Sequence, residues 1–358
     1  MSESIEHGNS LISREESTAF KGFLILLIIV GHNMFFTYHT ENIQAMGYLY
    51  NFHIEAFFII PFLYGGRKLT ITRILNGFVR LYWPYILLTT LFYIGFYIIY
   101  SCHPFDLGRL MSLWLYPNSY QLHIYTGVQI LWFLPTMYIL TLLKDIYYYS
   151  HNAVRICLMI LSIIIIGQPI LSYFIGPIIR PLIQMLTYIP CGFRAAMSFF
   201  LWGISIRYLL VKIDEGKIPG WLLFTSWILL TASYFINILI WKNNFVTFSL
   251  RLVFPFVFFF IYIKYRKVIM TKIFHHLGSH SFKIYLIHPF LGYVLFFLLP
   301  DFMNYNIFLK WVIIISSIIV ITLISYWLAK IITRFRPFDR FFFPRNFKDL
   351  QLLKNKRA

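Results

Sequence analysis

Ten mainly apolar stretches divide the chain, at 20–38, 48–65, 83–101, 128–145, 156–175, 192–211, 220–240, 246–264, 282–300 and 307–331. A helix that crosses the hydrocarbon of a bilayer needs roughly 20 such residues. The pattern therefore predicts about ten transmembrane helices. The stretch at 48–65 is the least apolar, since it holds His53, Glu55, Pro61 and Gly65. Those at 83–101 and 282–300 are the clearest.

Composition agrees with lipid as the solvent. Apolar residues make up 59% of the 358 and charged residues 12%, against roughly half and a quarter in soluble domains. So few charges do not cover the surface of a soluble protein of this length.

Charge orients the helices. With the N-terminus inside, 25 of the 31 basic residues fall in inside segments or the C-terminal tail, and 6 fall outside. This asymmetry is what the positive-inside rule demands, and one missed helix would spoil it. The expected fold is an all-α integral membrane protein, a single bundle of about ten transmembrane helices with both termini cytoplasmic. The net charge of +18 is read as loop charge touching anionic headgroups. Nucleic-acid binding is not expected, because the basic residues lie in short clusters between apolar spans rather than on one stripe. The N-terminus carries Glu6, Glu15 and Glu16 and is read as an uncleaved anchor rather than a signal peptide.

The organisation expected is a cytoplasmic segment at 1–18, a ten-helix domain at 19–331 and a basic, aromatic cytoplasmic tail at 332–358. Outer segments near 102–127 and 176–191 are rich in aromatics and proline, which suits short interfacial helices or a lid. The tail mixes Arg334, Arg336 and Arg340 with phenylalanines, as a segment lying on an anionic leaflet would. Cys102, Cys157 and Cys191 form no CxxC pair, and the cytoplasmic His275, His276 and His280 have no cysteine or acid beside them. No metal site is expected.

Ionisable residues inside spans carry the chemistry, because each is costly there. The bland alternatives are structural pairs or side chains that snorkel to the interface. Lys21 and His32 stand eleven residues apart in the first helix. That is nearly three turns, so they share a face about 16 Å apart along the axis. Asn33 sits beside His32. The second span adds Asn51, His53 and Glu55. Glu55 needs a cationic or hydrogen-bonding partner, for which His32 and His53 are candidates, and a carboxylate that fixes an imidazole suits a general base. Arg80 opens the third span after Arg67, Lys68 and Arg73. This basic patch suits a phosphorylated donor such as a coenzyme A ester, or is ordinary inside charge. Arg194 opens the sixth span, Arg251 lies in the eighth and His288 precedes Pro289 in the ninth.

Several of these residues fall in motifs. They are Lys21-x10-His32, Asn51-Phe52-His53 running into Phe57-Phe58, and Arg80-Leu81-Tyr82-Trp83-Pro84-Tyr85. Leu131-Trp132-Phe133-Leu134-Pro135 and Gly278-x-x-Ser281-x-x-Ile284-Tyr285-x-Ile287-His288-Pro289 follow in order. Together they resemble the acyltransferase-3 family of bacterial membrane acyltransferases over almost the whole chain. The resemblance implies a ten-helix domain in the bacterial inner membrane. It implies transfer of an acyl group, usually acetyl, from cytoplasmic acetyl-CoA or another acyl-CoA to a hydroxyl of an envelope carbohydrate. O-antigen, capsule, other exopolysaccharide and peptidoglycan are such acceptors. The family's basic residue and histidine of helix one map onto Lys21 and His32, and its helix-three arginine onto Arg80. Two positions depart: Lys21 stands where the family usually has arginine, losing bidentate geometry, and Gly77 stands where a second basic residue is usual. Arg73 is the nearest substitute. No fused periplasmic hydrolase-like domain is expected.

The expected mechanism places Lys21, Arg73 and Arg80 at the donor phosphates and His32 as general base, oriented by Glu55 or His53. A covalent acyl-histidine relay is the other version. Asn33, Arg194 and His288 are acceptor-facing or structural polar groups. No permanently bound cofactor is expected. The expected partners are acyl-CoA, a lipid-linked or polymeric glycan, and membrane lipid. The competing reading is a transporter or flippase of lipid-linked sugar or polysaccharide. It would show two repeats with interrupted helices around a central cavity, whereas here the ionisable groups cluster in the first three helices and no repeat is visible. A purely structural subunit would predict that His32→Ala is silent.

Overall fold

The computed structural model describes residues 10–39, 48–49, 51–100, 105–167, 192–212 and 218–351. Among these residues the ordered elements are all helical. They begin with α1 (Arg14–Gly31), α2 (Met34–His39), α3 (His53–Ile59), α4 (Ile71–Gly77) and α5 (Trp83–Tyr100). Next come α6 (Leu107–Leu115), α7 (Ser119–Thr126), α8 (Phe133–Tyr149), α9 (Asn152–Gly167) and α10 (Phe193–Lys212). The chain continues through α11 (Gly220–Ile236), α12 (Asn244–Ile269), α13 (Lys272–Ser279), α14 (Ser281–Leu298) and α15 (Ile307–Arg334). The tail supplies α16 (Arg336–Phe342) and α17 (Phe347–Gln351).

Seven helices among the described residues are long and apolar enough to cross a membrane: Ile71–Ile98, Gln129–Tyr149, Phe193–Lys212, Gly220–Trp241, Phe245–Ile269, Ser281–Leu298 and Ile307–Arg334. Their outward faces carry large apolar groups such as Phe224, Phe297 and Ile315, which only lipid solvates well. Three shorter or more charged stretches overlie the other predicted spans: α1 with α2, α3 with its 3-10 extension to Leu63, and α9. The rest of the span at 156–175 and the outer segment at 176–191 lie outside the described residues. Within the segment at 102–127, the described part forms the two short helices α6 and α7.

The chain packs as two compact units. One comprises Ser10–Leu63 and Ser205–Ile331. Here α1 starts on a capping box, with Ser13 Oγ accepting from the Glu16 amide at 3.1 Å and the Ser13 amide donating to Glu16 at 2.7 Å. Glu15 and Glu16 also complement the positive end of the helix dipole. Glu16 pairs with Arg266 of α12 at 2.9 Å, and Phe20 stacks on Tyr262 of the same helix. The helices α1 and α13 approach each other very closely. A Cβ on Gly22 would stand 1.8 Å from the Phe274 carbonyl oxygen, and one on Gly278 would stand 1.7 Å from that of Thr18. Glycine lets the two backbones touch. Such close backbone packing holds the two helices together.

The sequence predicts one helix over 20–38. The structure instead ends α1 at Gly31 and restarts at Met34. Asn33 explains the break. Its Oδ1 accepts from the Phe36 amide at 3.0 Å and its Nδ2 donates to Ser317 Oγ of α15 at 2.8 Å. An asparagine that caps the next helix with its own side chain competes with helix continuation.

The other unit comprises residues 1–9, 64–204 and 332–358, of which the described part begins at Tyr64. Its α4 and α5 are joined by a π-helical turn at Phe78–Tyr82. The Tyr85 hydroxyl donates to the Leu113 carbonyl and the Tyr82 hydroxyl to that of Trp114, which seats α6 on α5. The tail folds back on the same helices. Trp83 Nε1 donates to the Phe341 carbonyl at 2.9 Å, and the Phe347 amide donates to Asn76 Oδ1 at 2.9 Å.

Candidate active site

His32 caps the C-terminal end of α1 with φ −104° and ψ 8°. This is the sparsely populated bridge region, where active-site residues often sit. Its amide still donates to Ile28 O at 2.9 Å, and its ring Nδ1 faces the same carbonyl oxygen at 2.9 Å. A carbonyl can only accept, so Nδ1 carries the proton and Nε2 is the basic nitrogen. Lys21 lies on the same continuous helix, half buried.

Two further imidazoles gather around it. His53 of α3 is fully buried, and its Nε2 rests 3.5 Å from where a Cβ of Gly31 would stand. Its Nδ1 donates to the Leu49 carbonyl. His288 of α14 meets the His32 ring edge to face, with centroids 5.5 Å apart. Each histidine is thus held through Nδ1 by a carbonyl four residues back, the arrangement that fixes ring orientation without a carboxylate.

The carboxylate has a different neighbour. His53 and Glu55 stand two residues apart on α3, so their side chains point to different faces. The cation interacting with Glu55 is Arg251 of α12, whose Nε donates to Asn51 Oδ1 at 3.1 Å. Glu55 and Asn51 are buried, and one atom of each, Oε2 and Nδ2, lacks a hydrogen-bond partner among the described residues. In the sequence Arg251 stands in the eighth span with no neighbour that indicates its role. Ser317 and its bond to Asn33 went unnoticed, since a serine in an apolar span gives no signal until its partner is seen.

In the other unit, Arg67, Arg73 and Arg80 form a cationic group in mutual electrostatic reach. Arg80 lies on the π-helical turn and is exposed. Such turns recur at functional sites. Arg73 is committed in part: its Nε pairs with Asp145 of α8 at 2.5 Å. Asp145 is buried, accepts from the Arg67 amide at 3.1 Å and lies 3.6 Å from Lys144 Nζ. Asp145 was missed because a lone acid beside Lys144 near a span end reads as inside charge. Arg194 occupies the first turn of α10, half buried. Among the described residues no group of three His, Cys, Asp or Glu is placed to hold a metal.

The arrangement offers basic imidazole nitrogens in an apolar interior, and cations at a helix end. No curated protein and no solved structure matches the chain. A family model described as an acyltransferase domain matches residues 15–330, which covers α2 to α14 entirely and nearly all of α1 and α15. This chain therefore belongs to the acyltransferase-3 family and is a multi-pass membrane acyltransferase.

Proposed function

We propose that the protein is an O-acyltransferase of the bacterial inner membrane. It moves an acyl group, acetyl in the first instance, from cytoplasmic acyl-CoA to a hydroxyl of an envelope carbohydrate such as O-antigen, capsule or another exopolysaccharide. The observation that carries this reading is the geometry of His32. Its Nδ1–H is held by the Ile28 carbonyl, which leaves Nε2 to accept a proton from the attacking hydroxyl. The chain crosses the membrane about ten times with both termini in the cytoplasm.

The Arg67–Arg73–Arg80 group binds the phosphates of the donor. Because Asp145 neutralises part of Arg73, Arg80 carries the larger share. His53 packs against Gly31 and holds the end of α1 in place. Glu55, with Arg251 and Asn51, supplies hydrogen-bonding groups to the acceptor.

The test is incorporation of label from radiolabelled acetyl-CoA into envelope glycan by membranes containing the protein, against membranes lacking it. The reading predicts label in the glycan fraction that survives delipidation and is released by mild alkali, as an ester is. No incorporation with acetyl-CoA or other short acyl-CoAs would contradict it.

A further inference from the structure

The tail after α15 has no part in the mechanism above, yet it grips the turn that carries Arg80. Trp83 Nε1 donates to the Phe341 carbonyl at 2.9 Å, and the two rings meet edge to face with centroids 6.0 Å apart. The Phe347 amide donates to Asn76 Oδ1 at 2.9 Å. Phe347 opens α17, so its N–H is one of those that a helix start leaves without an internal partner. Asn76 and Trp83 flank Gly77 and the π-helical turn at Phe78–Tyr82. The tail therefore holds this turn from both ends, with Arg80 exposed between them.

The tail also presents a two-sided surface. Phe335, Phe338 and Phe341 recur every third residue and are exposed. Arg336 and Arg340 stand one turn apart, on the side of α16 away from Phe338. Arg334, Arg345 and Lys348 are exposed as well. From Arg334 to Asp349 five cations face two carboxylates, and Asp349 is engaged by the Arg345 and Asn346 amides at 2.9 and 3.3 Å. The span that precedes this surface says what covers it. α15 is long and apolar enough to cross a membrane and ends at Arg334, so α16 begins at a bilayer surface. There the rings enter the boundary between headgroups and acyl chains, and the cations meet lipid phosphates. A second copy of the chain would bring the same cations to this face and be repelled.

We propose that the tail is a strap seated on the anionic leaflet, and that its seating holds the Arg80 turn in the shape that takes the donor; the role in donor binding rests on the acyl-transfer reading above. Anionic lipid holds α16, α16 holds Trp83, and α17 holds Asn76. Trp83 and Asn76 are positioning residues that act through Arg80.

The test reconstitutes the full-length protein into vesicles of phosphatidylcholine alone, or of phosphatidylcholine mixed equally with phosphatidylglycerol. Amide hydrogen exchange is followed over 335–351 and over 76–83. Anionic lipid should slow exchange in both segments by at least about fivefold, the effect of roughly one cation's attraction to the surface. Added salt should remove the difference. Arg336→Gln combined with Arg340→Gln should abolish the response in both segments. Trp83→Phe keeps a ring and loses the Nε1 donor. Combined with Asn76→Ala, it should leave the tail responsive and the turn unresponsive. In the wild type the same change of lipid should lower KM for acetyl-CoA with kcat nearly unchanged, and in the Trp83→Phe, Asn76→Ala protein it should not. Exchange over 335–351 that ignores lipid charge would overturn the inference, and so would a responsive tail beside an unresponsive turn in the wild type. Protection in phosphatidylcholine alone that rises with protein density would assign the face to a second copy and overturn it too. Exchange is read without substrate, so vesicles that transfer no acyl group would contradict the transferase reading while a lipid response of both segments still supported the strap.

Discussion

The amide of Asn33 donates to the hydroxyl of Ser317 at 2.8 Å, joining the break after the first helix to the last long helix. Ser317 in turn donates to the Ile314 carbonyl at 2.8 Å. The bond fixes where α1 stops, and so where His32 stands. Ser317→Ala leaves the Asn33 amide without this partner in an apolar interior. Hydrogen bonds between membrane helices are worth about 0.6–2 kcal/mol. We expect a modest drop in thermal stability in detergent, read by size-exclusion chromatography after heating. Activity should fall more than stability, because His32 is the next residue.

The crossing of α1 and α13 tolerates no side chain. Gly278→Leu should abolish a monodisperse protein, and Gly278→Ala should already lower the yield, because a Cβ there would meet the backbone of Thr18. By contrast a Cβ on Gly292 of α14 meets nothing within 4 Å, and Gly292→Ala should be silent in the same assay.

Asp145 holds Arg73 and the turn that begins at Arg67. Removing one partner of a fully buried pair costs about 3–5 kcal/mol. Arg73 keeps 28% side-chain exposure, so the loss for Asp145→Ala should be well below that, near 1–2 kcal/mol. Thermal unfolding in detergent checks it.

On the proposed reading, Arg80 holds charge on the donor equally in the ground and transition states. Arg80→Ala should therefore raise KM for acyl-CoA several-fold and leave kcat nearly unchanged. The same KM should rise with added salt in the wild type, and less in the variant.

Much of this was legible in the sequence. The spans could be read because lipid demands long apolar helices, and the seven longest lie where that demand predicts. The family motifs could be read because they fix residue types at fixed spacings. What escaped is long-range pairing. Nothing near Glu55 in the chain indicates Arg251, some 200 residues later, so the nearer imidazoles looked like its partners. The break at Asn33 was hidden because a cap-forming side chain within an apolar run looks like any polar intrusion until Phe36 and Ser317 are seen to bond it. Gly22 and Gly278 looked unremarkable one at a time, since their role exists only where the two backbones cross.

The most direct test of the account compares wild type with His32→Ala, at matched amounts in the same membranes, for transfer of radiolabelled acetyl from acetyl-CoA to envelope glycan. The account predicts label in the wild type and a loss of at least about a hundredfold in the variant. Equal label in both would show that the imidazole at the end of the first helix is not the base, and would contradict the site assigned to it.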